Sequence, residues 1–111
     1  MKILHTADWH LGTFRSPVKD GVNLRTEDTK RCLDELIRVA NEEKPDYSLV
    51  SGDIFHVGRL WSDRCCEEII TAIHYIRELA AVSKQVVVMR GTPNHDGSGQ
   101  FNVLSEMFAD V

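Results

Sequence analysis

A cysteine framework for disulfides, an apolar run of membrane-spanning length and a basic surplus are all lacking in this 111-residue sequence. Its three cysteines, two of them adjacent at positions 65 and 66, make no disulfide framework and suit a reducing compartment. No apolar run approaches the ~20 residues that a membrane span needs. Asp8 interrupts the opening MKILHTADWH too early for the apolar core of a signal peptide, so a cytoplasmic location and no membrane partner are expected. Lysine and arginine total 13 against 17 aspartates and glutamates, a net charge of −4 that excludes a simply basic nucleic-acid-binding domain. Neither an internal linker nor a low-complexity segment is visible. What remains is 42% hydrophobic and 27% charged, ordinary for a globular protein. The chain reads as a single domain over residues 1–111, able to bury roughly two-thirds of its unfolded surface.

One pattern recurs along the chain. KILHTAD (Lys2–Asp8) reads as a first strand, and WHLGTFRSPVKDGVNL as a loop too irregular for helix or strand. In RTEDTKRCLDELIRVANEE, Cys32, Leu33, Leu36, Ile37 and Ala40 form one apolar helical stripe. Thr26 is the expected N-cap, with Glu27 and Asp28 in the first turn, and Lys44-Pro45 ends the helix. DYSLVSGD reads as a second strand and IFHVGRLW as a loop. A second helix follows, capped by Ser62 or Asp63, with Cys66, Ile69, Ile70, Ile73, Ile76 and Ala80 along its buried face. KQVVVMRG is the third strand, and its unbroken apolar run from Val86 to Met89 suits a strand covered on both faces. The tail accommodates a short helix with Phe101, Leu104 and Phe108 on one side. Strand and helix alternating three times predict an α/β fold with a parallel sheet and βαβαβ crossovers.

In such sheets ligands bind beyond the carboxyl ends of the strands. The first strand exits into Asp8-Trp9-His10. The second exits into Gly52-Asp53 with His56 three residues on, and the third into Gly91 and then Asn94-His95-Asp96. Turn chemistry explains one such exit easily and three in register poorly. Carboxylates, imidazole and an amide oxygen without thiolate suit Mn²⁺, Fe²⁺ or Mg²⁺ rather than a structural zinc. Two such ions about 4 Å apart activate a water and stabilise an in-line displacement at phosphorus. The residues alone thus point to a metal-dependent phosphoester hydrolase.

LHTADWHLG, LVSGDIFH and PNHDG resemble, in order and spacing, the D-x-H, G-D and N-H-D motifs of the calcineurin-like metallophosphoesterases. HTADWHLG and GDIFH are similar, more narrowly, to the SbcD-type nuclease subunits of DNA double-strand-break repair. The resemblance runs from Met1 to about Gly97. It implies the N-terminal half of a four-layer α/β sandwich and two divalent ions, Mn²⁺ foremost. Asp8 and His10 would bind the first ion, Asp53 would bridge both, and Asn94 would bind the second. His95 would contact the scissile phosphate with Asp96 orienting its ring, while His56 and Arg59 would lie against the substrate. The implied partners are DNA and an SMC-like coiled-coil ATPase of the SbcC type, with a homodimer in the full-length protein. Two divalent ions carry about four positive charges, so the acidic balance does not exclude DNA.

Two departures from the family pattern stand out. Thr92-Pro93 interrupt the usual Gly-Asn-His-Asp run, so the loop is expected to bulge, stiffened by Pro93. The later histidines that complete the family's second metal site do not occur up to Val111, which reads as a truncated domain with an exposed sheet edge and face. A phosphomonoesterase, a small-nucleotide phosphodiesterase and a catalytically incomplete interaction module all stay open. Outside the motifs, His5 is expected to be packed, His74 solvated, and Arg25 paired with Asp28. Arg59, Trp61 and Arg64 could grip nucleic acid or form a plain surface loop, and Cys65-Cys66 read as packing and solvent positions.

Overall fold

The computed structural model describes residues 1–12, 18–56 and 63–108. Strands β1 (Ile3–Thr6), β4 (Tyr47–Ser51) and β5 (Gln85–Met89) form an open parallel sheet in the order β1-β4-β5. Helix α1 (Leu24–Glu43) connects β1 to β4, and α2 (Asp63–Val82) connects β4 to β5. Helix α3 (Ser98–Met107) follows β5. The α/β architecture expected from the alternating pattern is thus present, with Ile3 beside Tyr47 and Tyr47 beside Gln85 at one end of the register.

Local signals explain the element ends. The Asn23 side chain accepts the amide protons of Arg25 and Thr26, so α1 begins at Leu24 with Asn23 as its cap, not Thr26. Asn23 wins because its amide oxygen reaches both donors from an extended backbone. Lys44 ends the helix in the left-handed conformation, its amide donating to the Ala40 carbonyl. The segment read as an irregular loop holds a two-residue-per-strand hairpin, β2 (Val18–Lys19) and β3 (Val22–Asn23), turned at Asp20-Gly21. Both turn residues have positive φ, the geometry a tight hairpin requires. At the start of α3, Gln100 folds back so that its side-chain oxygen accepts the Gly97 amide. The expected Ser62 or Asp63 cap and the Cys65-Cys66 pair lie outside the described side chains.

Helices cover one face of the sheet. Val50, Val86 and the partly buried Leu4 and Val88 pack against Leu33, Ile37 and Ala40 of α1, Ile69, Ala72, Ile76 and Leu79 of α2, and Leu104 of α3. On the opposite face, Ile3, Val87 and Met89 are 57%, 39% and 58% exposed. β5 is therefore covered on one face rather than two, because α1, α2 and α3 all pack against the same side. Ile70 departs from expectation in the same way: it is 65% exposed, having rotated off the stripe that carries Ile69 and Ile76. Cys32 is also exposed. His5 lies on the open face and bonds Ser51 Oγ instead of packing, while His74 pairs with Glu78 in solvent. Asp28 pairs with Arg31 one turn on rather than with Arg25.

Leu79 is fully buried, whereas Val87 stands on the open face. Leu79→Ala is expected to lower the unfolding free energy by about 2–5 kcal/mol and Val87→Ala by less than about 1, as measured in urea titrations.

Candidate metal centre at the strand exits

The backbone ladder of β1 and β4 does not stop where the strands do. Asp8 N donates to Gly52 O at 3.0 Å, His10 N to Asp53 O at 3.0 Å, and Leu11 N to Ile54 O at 2.8 Å. His56 N returns a bond to Leu11 O at 2.8 Å, and Leu11 pairs with Phe55 as an isolated parallel bridge. The two exits are therefore laced together for several residues past the sheet. Leu11, Ile54 and Phe55 are buried and anchor the lacing from below.

Five described non-glycine residues have positive φ: Asp8 (56°), His10 (49°), Asp20 (53°), Lys44 (47°) and Asp53 (50°). Asp20 belongs to the hairpin turn and Lys44 to a helix cap, where such angles are routine. The remaining three are the metal ligands expected from the first two exits. Left-handed backbone at non-glycine residues costs about 1–3 kcal/mol and persists where the surroundings over-determine it. Here it turns three side chains toward one point. Asp8, His10 and Asp53 each offer a ligand atom, all within 4.8 Å of one another. Two carboxylates and one imidazole make a donor set that fits a hard or borderline divalent ion.

The third exit is tied to the second through Asp96. This side chain is fully buried, its Oδ1 accepting Phe55 N at 3.0 Å and its Oδ2 accepting Gly91 N at 2.7 Å. Arg90 Nε donates to the Asp96 carbonyl. The expected role of Asp96 is thereby corrected. Its carboxylate is committed to backbone amides, and the His95 ring is oriented by the His56 carbonyl, which lies 2.6 Å from His95 Nδ1. A carbonyl can only accept, so Nδ1 carries the proton there and Nε2 is left unprotonated in the neutral ring.

Thr92 and Pro93, met as an interruption of the motif, form the head of a tight turn. The Thr92 carbonyl accepts from His95 N at 3.0 Å and Asp96 N at 2.8 Å. On its other side, Thr92 N and Oγ1 reach Asp53 Oδ1 at 2.8 and 3.2 Å. The Thr92 amide leads in holding the Asp53 carboxyl below its ordinary range. Its hydroxyl and the charges of His95 and His10 add to this, against partial desolvation. Thr92 is thus a site residue that sequence reasoning passed over. Its only signal was its position between Gly91 and the polar trio. Gly91 itself admits no side chain, since a Cβ would fall 2.2 Å from Asp53 N and Oδ1. Gly52 is excluded from carrying one by its φ of +87° and by Gly91 Cα at 2.7 Å.

His56 joins His10 and His95 at the strand exits. Burial, then the charges of His10, His95 and Arg25, depresses its pKa. Its ring centroid lies 5.9 Å from those of both His10 and His95, and His10 and His95 stand 4.6 Å apart edge to face. Asn94 is exposed on the turn after Pro93. Arg59 and Trp61, expected near a substrate, lie outside the described residues, as does the side chain of Arg64.

A family model described as calcineurin-like phosphoesterase matches residues 1–110. The D subunit of the SbcCD nuclease from Staphylococcus epidermidis is 30% identical over 108 residues, covering 97% of this chain and 26% of that protein. Its counterpart from Staphylococcus saprophyticus is 31% identical over 108 residues, again covering 97% of this chain and 26% of the relative. The chain therefore spans about a quarter of the length of the curated relatives it matches.

Removing the Asp96 carboxylate strands two backbone donors, so Asp96→Ala is expected to destabilise the metal-free protein by about 3 kcal/mol in urea unfolding. His56 is expected to titrate below the ordinary histidine value of ~6.5 in a pH series of NMR spectra. Because the unfolded chain would take up that proton first, this histidine withdraws stability as pH falls from ~6.5 toward its folded value.

Proposed function

This chain belongs to the calcineurin-like phosphoesterase family, and from that premise we propose that it builds part of the metal centre of a nuclease that hydrolyses phosphodiester bonds in DNA. The observation that carries the reading is the convergence of Asp8, His10 and Asp53, each on left-handed backbone. Structural strain concentrated on three would-be ligands, beyond the ends of adjacent parallel strands, is what a metal site demands and what packing alone does not. The nuclease subunits at about 30% identity support a nucleic-acid substrate.

Asp8, His10 and Asp53 would hold the first divalent ion, with Mn²⁺ the best match among Mn²⁺, Mg²⁺ and Fe²⁺. Asp53 would extend to a second ion that Asn94 also binds. Bound there, the ions would supply an activated water and neutralise charge at phosphorus. The chain's own residues set the stage for that chemistry. Thr92 holds Oδ1 of Asp53, leaving Oδ2 as the oxygen without a hydrogen bond to Thr92. His95 presents Nε2 because its Nδ1 is held by His56 O, and in this reading it touches the scissile phosphate. His56 would lie against the substrate strand beside it, with Arg59 in the loop beyond.

A role in DNA double-strand-break repair, an SMC-like coiled-coil ATPase of the SbcC type as partner, and a homodimer of the whole protein complete the proposal. Among the described residues no helix is long and apolar enough to cross a membrane, and we place the protein in the cytoplasm.

Mn²⁺ binding to the chain, monitored by loss of the free-ion EPR signal, is expected to weaken by roughly a hundredfold in Asp53→Asn and in Asp8→Asn. Undiminished Mn²⁺ affinity in both variants would sink the metal assignment. For the whole protein, Mn²⁺-dependent cleavage of a DNA duplex should disappear in His95→Ala. Cleavage of a small chromogenic phosphodiester but not of DNA would reassign the substrate.

A further inference from the structure

We propose that the strand exits hold a second, nitrogen-only metal site, formed by His10, His56 and His95, which takes a borderline ion such as Cu²⁺ or Zn²⁺ in competition with the carboxylate site. The three imidazoles each offer a ring nitrogen, all within 4.8 Å of one another, and each is partly buried. Three points so spaced surround a centre less than about 3 Å from each. Ring rotations of under an ångström then bring them to the ~2.0–2.1 Å of a metal–imidazole bond. The imidazoles come from all three strand exits, so the site exists only in the folded chain.

Two further features favour ligation. His95 Nδ1 donates to the His56 carbonyl, so Nε2 points away with its lone pair. Metal-ligating histidines characteristically give their second ring nitrogen to a carbonyl or carboxylate in this way. Beside His56, Gly12 leaves the space that the ring's base occupies, since a Cβ at position 12 would fall 2.6 Å from His56 Cβ. Donor chemistry then separates the two sites. Asp8, His10 and Asp53 offer two oxygens and one nitrogen. The trio offers nitrogen alone, which favours Cu²⁺ or Zn²⁺ over Mn²⁺ or Mg²⁺. His10 belongs to both groups, so an ion on the trio withdraws it from the carboxylates. It also occupies the Nε2 that His95 would turn toward a phosphate. The carboxylate site would therefore be denied its working ion by a softer one.

The inference rests on the imidazoles and not on DNA cleavage, and the test keeps the two apart. With one equivalent of Cu²⁺ and no other metal, the EPR spectrum should show hyperfine coupling to three nitrogens. His56→Gln and His95→Gln should each remove one of them and weaken Cu²⁺ binding by roughly tenfold or more. Their far-UV circular dichroism establishes that each variant is folded. Asp8→Asn and Asp53→Asn, which strip the carboxylate site, should leave the three-nitrogen spectrum in place. In the unaltered protein, added Cu²⁺ should release bound Mn²⁺. A Cu²⁺ spectrum indifferent to His56→Gln and His95→Gln, or one lost in Asp53→Asn, overturns the proposal. Retention of Mn²⁺ beside Cu²⁺ overturns the competition through His10.

Discussion

The buried carboxylate of Asp96 accepts the amide protons of Phe55 and Gly91, and the arrangement of the strand exits hangs on that junction. Phe55 belongs to the exit of β4 and Gly91 to the exit of β5, so one side chain spans two loops that share no ladder there. Two amide donors on one ionised carboxylate are charge-assisted bonds in a dry place, each worth more than a neutral bond in water. Once Gly91 is pinned, Thr92 falls against Asp53 and the turn through Pro93 lifts His95 onto the His56 carbonyl. Placing the carboxylate inside the protein rather than on the histidine ring gives it a longer reach. It sets the loop that carries the ring.

Strain and tight packing complete the arrangement. Asp8, His10 and Asp53 adopt a backbone conformation that glycine would take more cheaply, and it brings one ligand-type atom of each within 4.8 Å of the others. The cost is met by the ladder that runs on past β1 and β4 and by the buried Leu11, Ile54 and Phe55 beneath it. Glycine is kept at Gly52, where a Cβ would run into the Gly91 backbone, and at Gly91, where one would run into Asp53. Polar residues take the left-handed bends beyond β1 and β4, and glycines sit where two exits touch.

The sheet has one dressed and one bare face, and the site sits at its carboxyl edge. All three helices pack on Val50, Val86 and their neighbours, leaving Ile3, Val87 and Met89 in solvent. The unbroken run Val86–Met89 encouraged the expectation of cover on both faces. An apolar sequence reports what a strand can bury, not what is there to bury it. The same limit applies to Ile70, which helical spacing alone could not separate from Ile69.

The alternation of the three parallel strands with the three helices, and the identity of the polar residues at the three strand ends, were determined by the sequence itself. Hydrophobic periodicity, the Lys44-Pro45 stop and the motifs around Asp8, Asp53 and His95 are local properties that the chain carries in any context. Parallel strands then oblige those ends to meet at one edge. Which partner each side chain takes was settled only by the tertiary structure. Asp96 stands next to His95 in sequence but turns inward to Phe55 and Gly91, and His95 finds its orienting oxygen 39 residues away at His56. Thr92, an interruption of the sequence motif, becomes the clamp on Asp53. Hydrogen bonds of that kind depend on the relative placement of separate loops, and loop placement follows from packing across the whole sheet rather than from neighbouring residues.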